Sequence, residues 1–262
     1  MWRSFSPEID GWADQCANGL LDENAFDLDG QAVGGGTSAV PIIMRQSNRR
    51  AHAKPARVGG DGTAVACEKI ASDLAFRLGL PLAPVLLSRQ TDGKAIQLPG
   101  IVALSFHTFA QPRSWNGDFN TIPPDHHARV RKALSAIYVF HAWIDDHDHN
   151  WSENNALIEV GANQTSLVFF DYSYSLIHEW KPPAAAPVRP WATPPQPYAP
   201  LEMDAVNAVL ERINELRVDD LGAIIGRIPP DCLAPDLRDR LPQALDDRRR
   251  ALRQLLNLAG AP

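Results

Sequence analysis

Cysteine is scarce in this chain: Cys16, Cys67 and Cys232 are the only three in 262 residues, widely spaced and in no Cys-x-x-Cys pair. A scattered, odd-numbered set excludes a disulfide scaffold and a zinc ribbon, and a chain of this length buries enough apolar surface to fold without either. Long hydrophobic runs are missing too. No segment approaches the roughly 20 apolar residues of a bilayer-spanning helix. The opening MWRSFSPEIDGWADQC has no basic start, apolar stretch or small-residue cleavage site of a secretory leader. Together these absences predict a cytoplasmic chain without membrane contact. Positive charge is in deficit, 25 Lys and Arg against 31 Asp and Glu, which argues against broad nucleic-acid binding. The local run Arg248-Arg249-Arg250 reads as a solvated helix face. Internal repeats and a Gly-x-x-x-x-Gly-Lys-Ser/Thr phosphate loop are absent as well.

What is present is the composition of a globular protein, 45% hydrophobic and 21% charged. Two short apolar pieces, residues 40–44 and 51–54, predict a hairpin turning at Ser47-Asn48. Ala66, Ile70, Ala71, Leu74, Ala75 and Leu78 recur at helical spacing, and Gly79 followed by Pro81 supplies the stop, so a helix is predicted over 63–79. Residues 82–88 and 95–106 read as further strands about a turn at Thr91-Asp92-Gly93. Beyond Phe106, Asp125 is placed to cap a long helix in which Val130, Leu134, Ile137, His141 and Ile144 share a face. Two short strands follow, 156–158 and 168–170, joined by a turn over 161–164. Residues 182–200 are rich in proline and carry no periodicity, which predicts an extended segment. Two closing helices are expected, one around 206–216 and one around 241–256 with Pro242 in its first turn.

Chemistry concentrates in residues 143–158, Trp-Ile-Asp-Asp-His-Asp-His-Asn-Trp-Ser-Glu-Asn-Asn-Ala-Leu-Ile, and in Leu167-Val168-Phe169-Phe170-Asp171. Phosphoryl transfer needs a carboxylate near the attacking hydroxyl and two oxygen ligands that hold magnesium against nucleotide phosphates. Asp148 in a loop after a helix, Asn155 just before a strand, and Asp171 at the end of the next strand offer all three. Asn154 offers the same amide as its neighbour Asn155, and Asp146 is close enough to compete for the catalytic role. In the front half, Lys54 ends a strand and can reach phosphates, and Glu68 in the following helix can hold its ammonium. Gly35 and Gly36, within Gly34-Gly35-Gly36-Thr37-Ser38, could lay backbone amides over phosphates, although the stretch matches neither the Gly-rich kinase loop nor a P-loop and reads first as an ordinary flexible turn.

On these residues the chain resembles the HipA-like kinases, within the wider protein-kinase-like superfamily. Residues 35–54, the helix 68–79 with its Gly79-Leu80-Pro81 exit, residues 140–157 and residues 167–176 carry the resemblance. The tail from Ile228-Pro229-Pro230 to Arg248-Arg249-Arg250 is similar to the closing helical segment of that family. The resemblance implies one α+β domain over 1–262, bilobed, with a small strand-rich N-lobe at 30–106 and a mostly helical C-lobe at 107–262. It implies an ATP- and magnesium-dependent kinase acting on protein Ser/Thr, with Asp148 catalytic, Asn155 and Asp171 on magnesium, Lys54 on the phosphates and Glu68 on Lys54. Two departures stand out. His149 occupies the place where an Arg usually neighbours the catalytic Asp, and the interval from Asp148 to Asn155 is two residues longer than is common.

Two other readings compete. His141, Asp145, Asp146, His147, Asp148 and His149 are residue types that ligate transition metals, as in a metal-dependent phosphohydrolase, though His141 on an apolar helix face also reads as a core histidine. A non-catalytic pseudokinase could instead bind a partner through the Pro-rich stretch, anchored by Trp180, Trp191 or Tyr198. No segment specifies the phosphate acceptor, so protein and small-molecule hydroxyls both stand.

Overall fold

The computed structural model describes residues 20–21, 26–29, 39–55, 62–90, 100–106, 113–146, 149, 155–176, 198, 200–256 and 258. Six strands form one sheet: β1 (Leu20–Leu21), β2 (Phe26–Leu28), β3 (Val40–Met44), β4 (Arg50–Pro55), β5 (Val85–Gln90) and β6 (Gly100–Phe106), in the order β1-β5-β6-β4-β3-β2. Its pairs are antiparallel apart from β1 with β5. The β3–β4 hairpin forms where the sequence predicts it, and Asn48 takes the left-handed conformation, φ 56°, that Asn tolerates in turns.

Helix α1 (Thr63–Leu78) follows the predicted periodicity and ends at Gly79, whose φ of 72° closes it in the left-handed region. At its start, Gly62 also has a positive φ, 76°, and a Cβ there would come within 2.7 Å of the Cys232 Cα atom. Glycine is required at this point by close approach as well as by backbone conformation. The helix is buried almost all round. Lys69 and Asp73, both inside, satisfy each other at 2.7 Å one turn apart.

Residues 82–84 do not belong to the strand expected over 82–88, which starts only at Val85. Pro81 and Pro84 lack the N–H that a continuous ladder needs. Leu82 instead bridges in parallel to Phe169, with the Ala83 N–H on the Phe169 carbonyl at 2.8 Å and the Phe169 N–H on the Pro81 carbonyl at 2.9 Å. Ser72 fixes this segment to α1, its hydroxyl donating to the Ala83 carbonyl and accepting from the Val85 N–H, each at 3.0 Å. The large sheet is thereby tied to a second, three-stranded sheet of β7 (Arg113–Ser114), β8 (Ala156–Val160) and β9 (Thr165–Phe169).

Helix α2 (His127–Ile144) runs behind that second sheet, and its last dozen residues are buried on every side. Asp125 does not cap it. A 3-10 turn over Pro124–His126 precedes the helix, and the Asp125 side chain points into solvent. The closing helices are three: α3 (Met203–Glu215), α4 (Val218–Gly226) and α5 (Pro235–Leu255). The short α4 carries too little periodicity to announce itself and is started by Asp220, which accepts from the Arg217 N–H at 3.0 Å. Pro242 lies well inside α5, not in its first turn, because Pro235 begins the helix. The extra turns are polar in sequence and are held by Arg238, which donates to the carbonyls of Gly226 and Ile228 at the end of α4.

The arginine run is also corrected. Arg248 donates to the carbonyls of Ala142 and Trp143, at 2.6 and 2.9 Å, and to Asp145 Oδ1 at 2.7 Å. Arg249 donates to the carbonyls of Asn214 and Leu216 and pairs with Asp246. Arg250 is 69% exposed and also pairs with the buried Asp246, at 2.5 Å. The final carbonyls of a helix have no intrahelical donor, and two guanidinium groups from α5 cap the ends of α2 and α3. Among the described residues no helix is long and apolar enough to cross a membrane. The architecture is α+β, strand-rich in the first half and mostly helical in the second, as the sequence predicts.

Candidate active site

Period-two alternation along β4 decides what faces the space between the sheets. Ala51 and Ala53 turn into an apolar cluster on the far side, with Ile42, Leu86, Val102 and Leu104. Lys54 turns the other way, over a cavity of about 300 Å³ that is walled by the large sheet above and by β8 and β9 below. Its ammonium donates to Glu68 Oε1 at 3.2 Å and to Ser173 Oγ at 2.8 Å, and pairs with Asp171 Oδ1. Ser173 donates in turn to Asp171 Oδ1 at 2.7 Å, and the other Glu68 oxygen accepts from the Tyr172 N–H at 3.0 Å. Lys54, Glu68 and Asp171, singled out in the sequence, are brought together. Ser173, which sequence reasoning passed over, joins them; its only signal is a hydroxyl two positions beyond Asp171.

Asp171 has a φ of 66°, in the left-handed region a non-glycine residue enters at a cost of about 1 kcal/mol, and backbone held there often marks a functional position. Burial acts on all three charges. It would lower the Lys54 ammonium, but the carboxylates of Glu68 and Asp171 outweigh it and hold that group above its ordinary value. Burial raises Glu68 to about 7 despite Lys54 beside it. It pushes Asp171 in the same direction, yet the bonds from Lys54 and Ser173 leave that carboxyl below its usual range. Two carboxylates therefore share one ammonium, a surplus of negative charge in a half-enclosed setting. Asn155 stands immediately before β8, its carbonyl accepting from the Phe170 N–H at 3.1 Å, so it lies abreast of the residue preceding Asp171.

The floor of the cavity is a small apolar cluster of Ala83 and Val168 with Leu157 and Phe170 partly exposed. His52, Ala103, Ser105 and Ser114 also line the cavity, with Ala39 and Phe106. Ala83, Ala103, Ser105 and Ser114 carry no signal of their own in sequence until two sheets face each other.

Behind Asp171 sits a second polar cluster. His149 Nε2 donates to the Phe170 carbonyl at 3.0 Å and Nδ1 to Asp146 Oδ2 at 2.6 Å; both nitrogens meet acceptors, so the ring carries both protons. Burial alone would lower His149, but the charge and hydrogen bond of Asp146 raise it. His141 is pushed down to about 3 by burial and by the charge on His149. Its nitrogens meet Tyr172 Oη at 3.0 Å and Tyr198 Oη at 3.2 Å, and its ring lies 4.6 Å from that of His149. The ligand-type atoms of His141, Asp146 and His149 lie within 4.8 Å of one another. The nitrogens of both rings and Asp146 Oδ2 are already bonded to protein atoms, the arrangement of a scaffold. Asp145, part of the same metal-ligand reading, is turned away onto Arg248. Asp146 is enclosed and cannot reach an acceptor hydroxyl. Tyr198 is buried against Tyr138 and His141, so it does not serve as a surface anchor for a partner. Asp148, His147, Asn154, Gly35, Gly36, Trp180 and Trp191 lie outside the described residues.

No family model matches the chain, and no curated protein matches it in sequence. Among solved structures it is similar to the crystal structure of a Helicobacter pylori proinflammatory kinase CtkA, with a TM-score of 0.63 at 13% identity over 92% of this chain and 99% of that one. A structure of WaaP in complex with acyl carrier protein is matched more loosely, with a TM-score of 0.36 at 15% identity over 87% of this chain and 90% of that one. The first of these shows that the fold is kinase-like.

Proposed function

We propose that this chain is an ATP- and magnesium-dependent phosphotransferase of the HipA-like kind, moving the γ-phosphoryl group to a Ser/Thr hydroxyl of a protein. The observation that carries this is the placement of the Lys54 ammonium between Glu68 and Asp171 at the edge of an apolar-floored cavity between two sheets. A lysine held by a carboxylate is the part that grips nucleotide phosphates, and a second carboxylate beside it is where phosphate-bound metal is held. Residues 30–106 act as the N-lobe and residues 107–262 as the C-lobe of one domain.

The donors fit magnesium. The carboxylate of Asp171 and the amide of Asn155 are hard oxygen ligands, and the surplus negative charge shared by Glu68 and Asp171 is what a small divalent cation neutralises. Bound there, magnesium would offset charge on the phosphates during transfer. Lys54 fixes the nucleotide, Glu68 orients Lys54, and Asp148 orients or deprotonates the acceptor hydroxyl. Gly35 and Gly36 lend backbone amides over the phosphates.

Calorimetric titration with ATP, with and without magnesium, is the test. Magnesium-dependent binding that disappears in Asp171→Ala, together with label transferred from γ-labelled ATP to protein hydroxyls, supports the kinase. Binding without transfer to any acceptor leaves a pseudokinase. Absence of binding under both conditions overturns the nucleotide site itself.

A further inference from the structure

An ammonium carries three N–H donors, and Lys54 commits them to Glu68 Oε1 at 3.2 Å, to Asp171 Oδ1 and to Ser173 Oγ at 2.8 Å. A phosphate oxygen that reaches this ammonium must displace one of those acceptors. Asp171 depends on the outcome, because its Oδ1 is held both by Lys54 and by the Ser173 hydroxyl, which donates at 2.7 Å. When the ammonium turns to a phosphate, the hydroxyl stays. A serine has one proton to give and two lone pairs to receive with, so its bond to Asp171 does not require Lys54 on the other side.

Ser173 is fixed independently of that lysine. It is 5% exposed, in a loop closed by Ser175, whose N–H and hydroxyl both donate to the Tyr172 carbonyl, at 3.1 and 2.8 Å. Cys67 of α1 donates to the Ser175 carbonyl at 2.9 Å, and the Leu176 N–H donates to the Ile144 carbonyl at the end of α2 at 2.8 Å. Two left-handed residues bound the loop, Asp171 at φ 66° and Leu176 at φ 63°. The hydroxyl is therefore carried by backbone held from two helices, and not by the group that an entering phosphate would move.

We infer that Ser173 is a positioning residue for Asp171, its hydroxyl keeping that carboxylate aimed at magnesium once Lys54 has turned to the phosphates. This rests on the nucleotide and magnesium reading given above. A carboxylate that turns freely must give up that freedom when it takes a cation, and a bond already made to one of its oxygens removes part of the cost. The hydroxyl is also neutral, so it orients Asp171 without cancelling the charge that attracts the cation.

Magnesium is titrated in the presence of ATP, and inorganic tripolyphosphate in the absence of metal, into the wild-type chain, Ser173→Ala and Ser173→Thr. Ser173→Ala needs about tenfold more magnesium for half-maximal ATP binding and regains the wild-type level when magnesium is raised. It binds metal-free tripolyphosphate within about twofold of wild type, because Lys54 is still present. Ser173→Thr keeps a hydroxyl and stays within about threefold of the wild-type magnesium requirement. An unchanged requirement in Ser173→Ala overturns the inference and leaves the nucleotide site standing. So does an equal loss for metal-free tripolyphosphate, which would place the serine's role on Lys54, or a threonine variant as weak as the alanine one. An alanine variant that melts more than about 4 °C below wild type makes Ser173 a scaffold residue and overturns it too. A wild-type chain that binds neither ATP nor tripolyphosphate removes the nucleotide reading and this inference with it.

Discussion

Asp171 and Asp146 are the same residue type, yet one faces a cavity and the other is sealed. Asp171 keeps 19% of its side chain exposed and shares a single ammonium with Glu68, whereas Asp146 has no exposure and is bonded to a doubly protonated His149. On the cavity side, charge is left in surplus where a ligand can enter. On the far side, the imidazole nitrogens and Asp146 Oδ2 meet protein partners, and the Phe170 carbonyl and the Tyr172 hydroxyl are both held from behind. Residue type does not separate chemistry from scaffold here; exposure and charge balance do.

The largest effect that tests this contrast is on activity. Asp171→Asn lowers phosphate transfer by about 10³-fold while the melting temperature stays within a degree or two of wild type, roughly the span of a change below 0.5 kcal/mol. A large loss of stability would mean that Asp171 belongs to the scaffold after all. On the other side, His149→Ala leaves a buried carboxylate with one charged partner fewer and lowers stability by about 3 kcal/mol, read by urea unfolding. A shift under about 0.5 kcal/mol would show that the rear cluster supports nothing.

A third test is a pH slope. His141 is neutral in the folded state down to about 3, against 6.5 unperturbed. Between those values the unfolded chain binds a proton the folded one refuses, so stability falls as pH drops below 6.5, by about 1.4 kcal/mol per unit at the steepest. His149 works in the opposite sense: its raised value gives stability that is complete below 6.5 and is lost as pH rises. Thermal melts of His141→Gln from pH 4 to 7 should flatten on the acid side. An unchanged acid limb would assign it to other groups.

Much of this arrangement is legible in the chain. The spacing of Ala66, Ile70, Leu74 and Leu78 with Gly79 behind them marks α1, and the order Asn155, strand, strand, Asp171 survives as β8 and β9. The sequence pairs Lys54 with Glu68, and the fold makes that contact. Other features carry no local signature. Arg248 and Arg249 read as solvent charges because nothing near them in sequence announces the orphan carbonyls of two other helices. Tyr198 falls in a proline-rich stretch and reads as exposed, but its partners Tyr138 and His141 are some sixty residues away. Leu82 looks like the start of a strand until its flanking prolines and Phe169 give it a different neighbour.

By itself the sequence determined the periodic elements and the order of groups suited to phosphate chemistry, because side-chain spacing acts within one turn or one strand. Only the tertiary structure decided which carboxylate faces the cavity. The Lys54 ammonium meets Glu68 from 14 residues away and Asp171 from 117, and burial, which sets the charge each carries, belongs to the packed molecule and to no single stretch of chain.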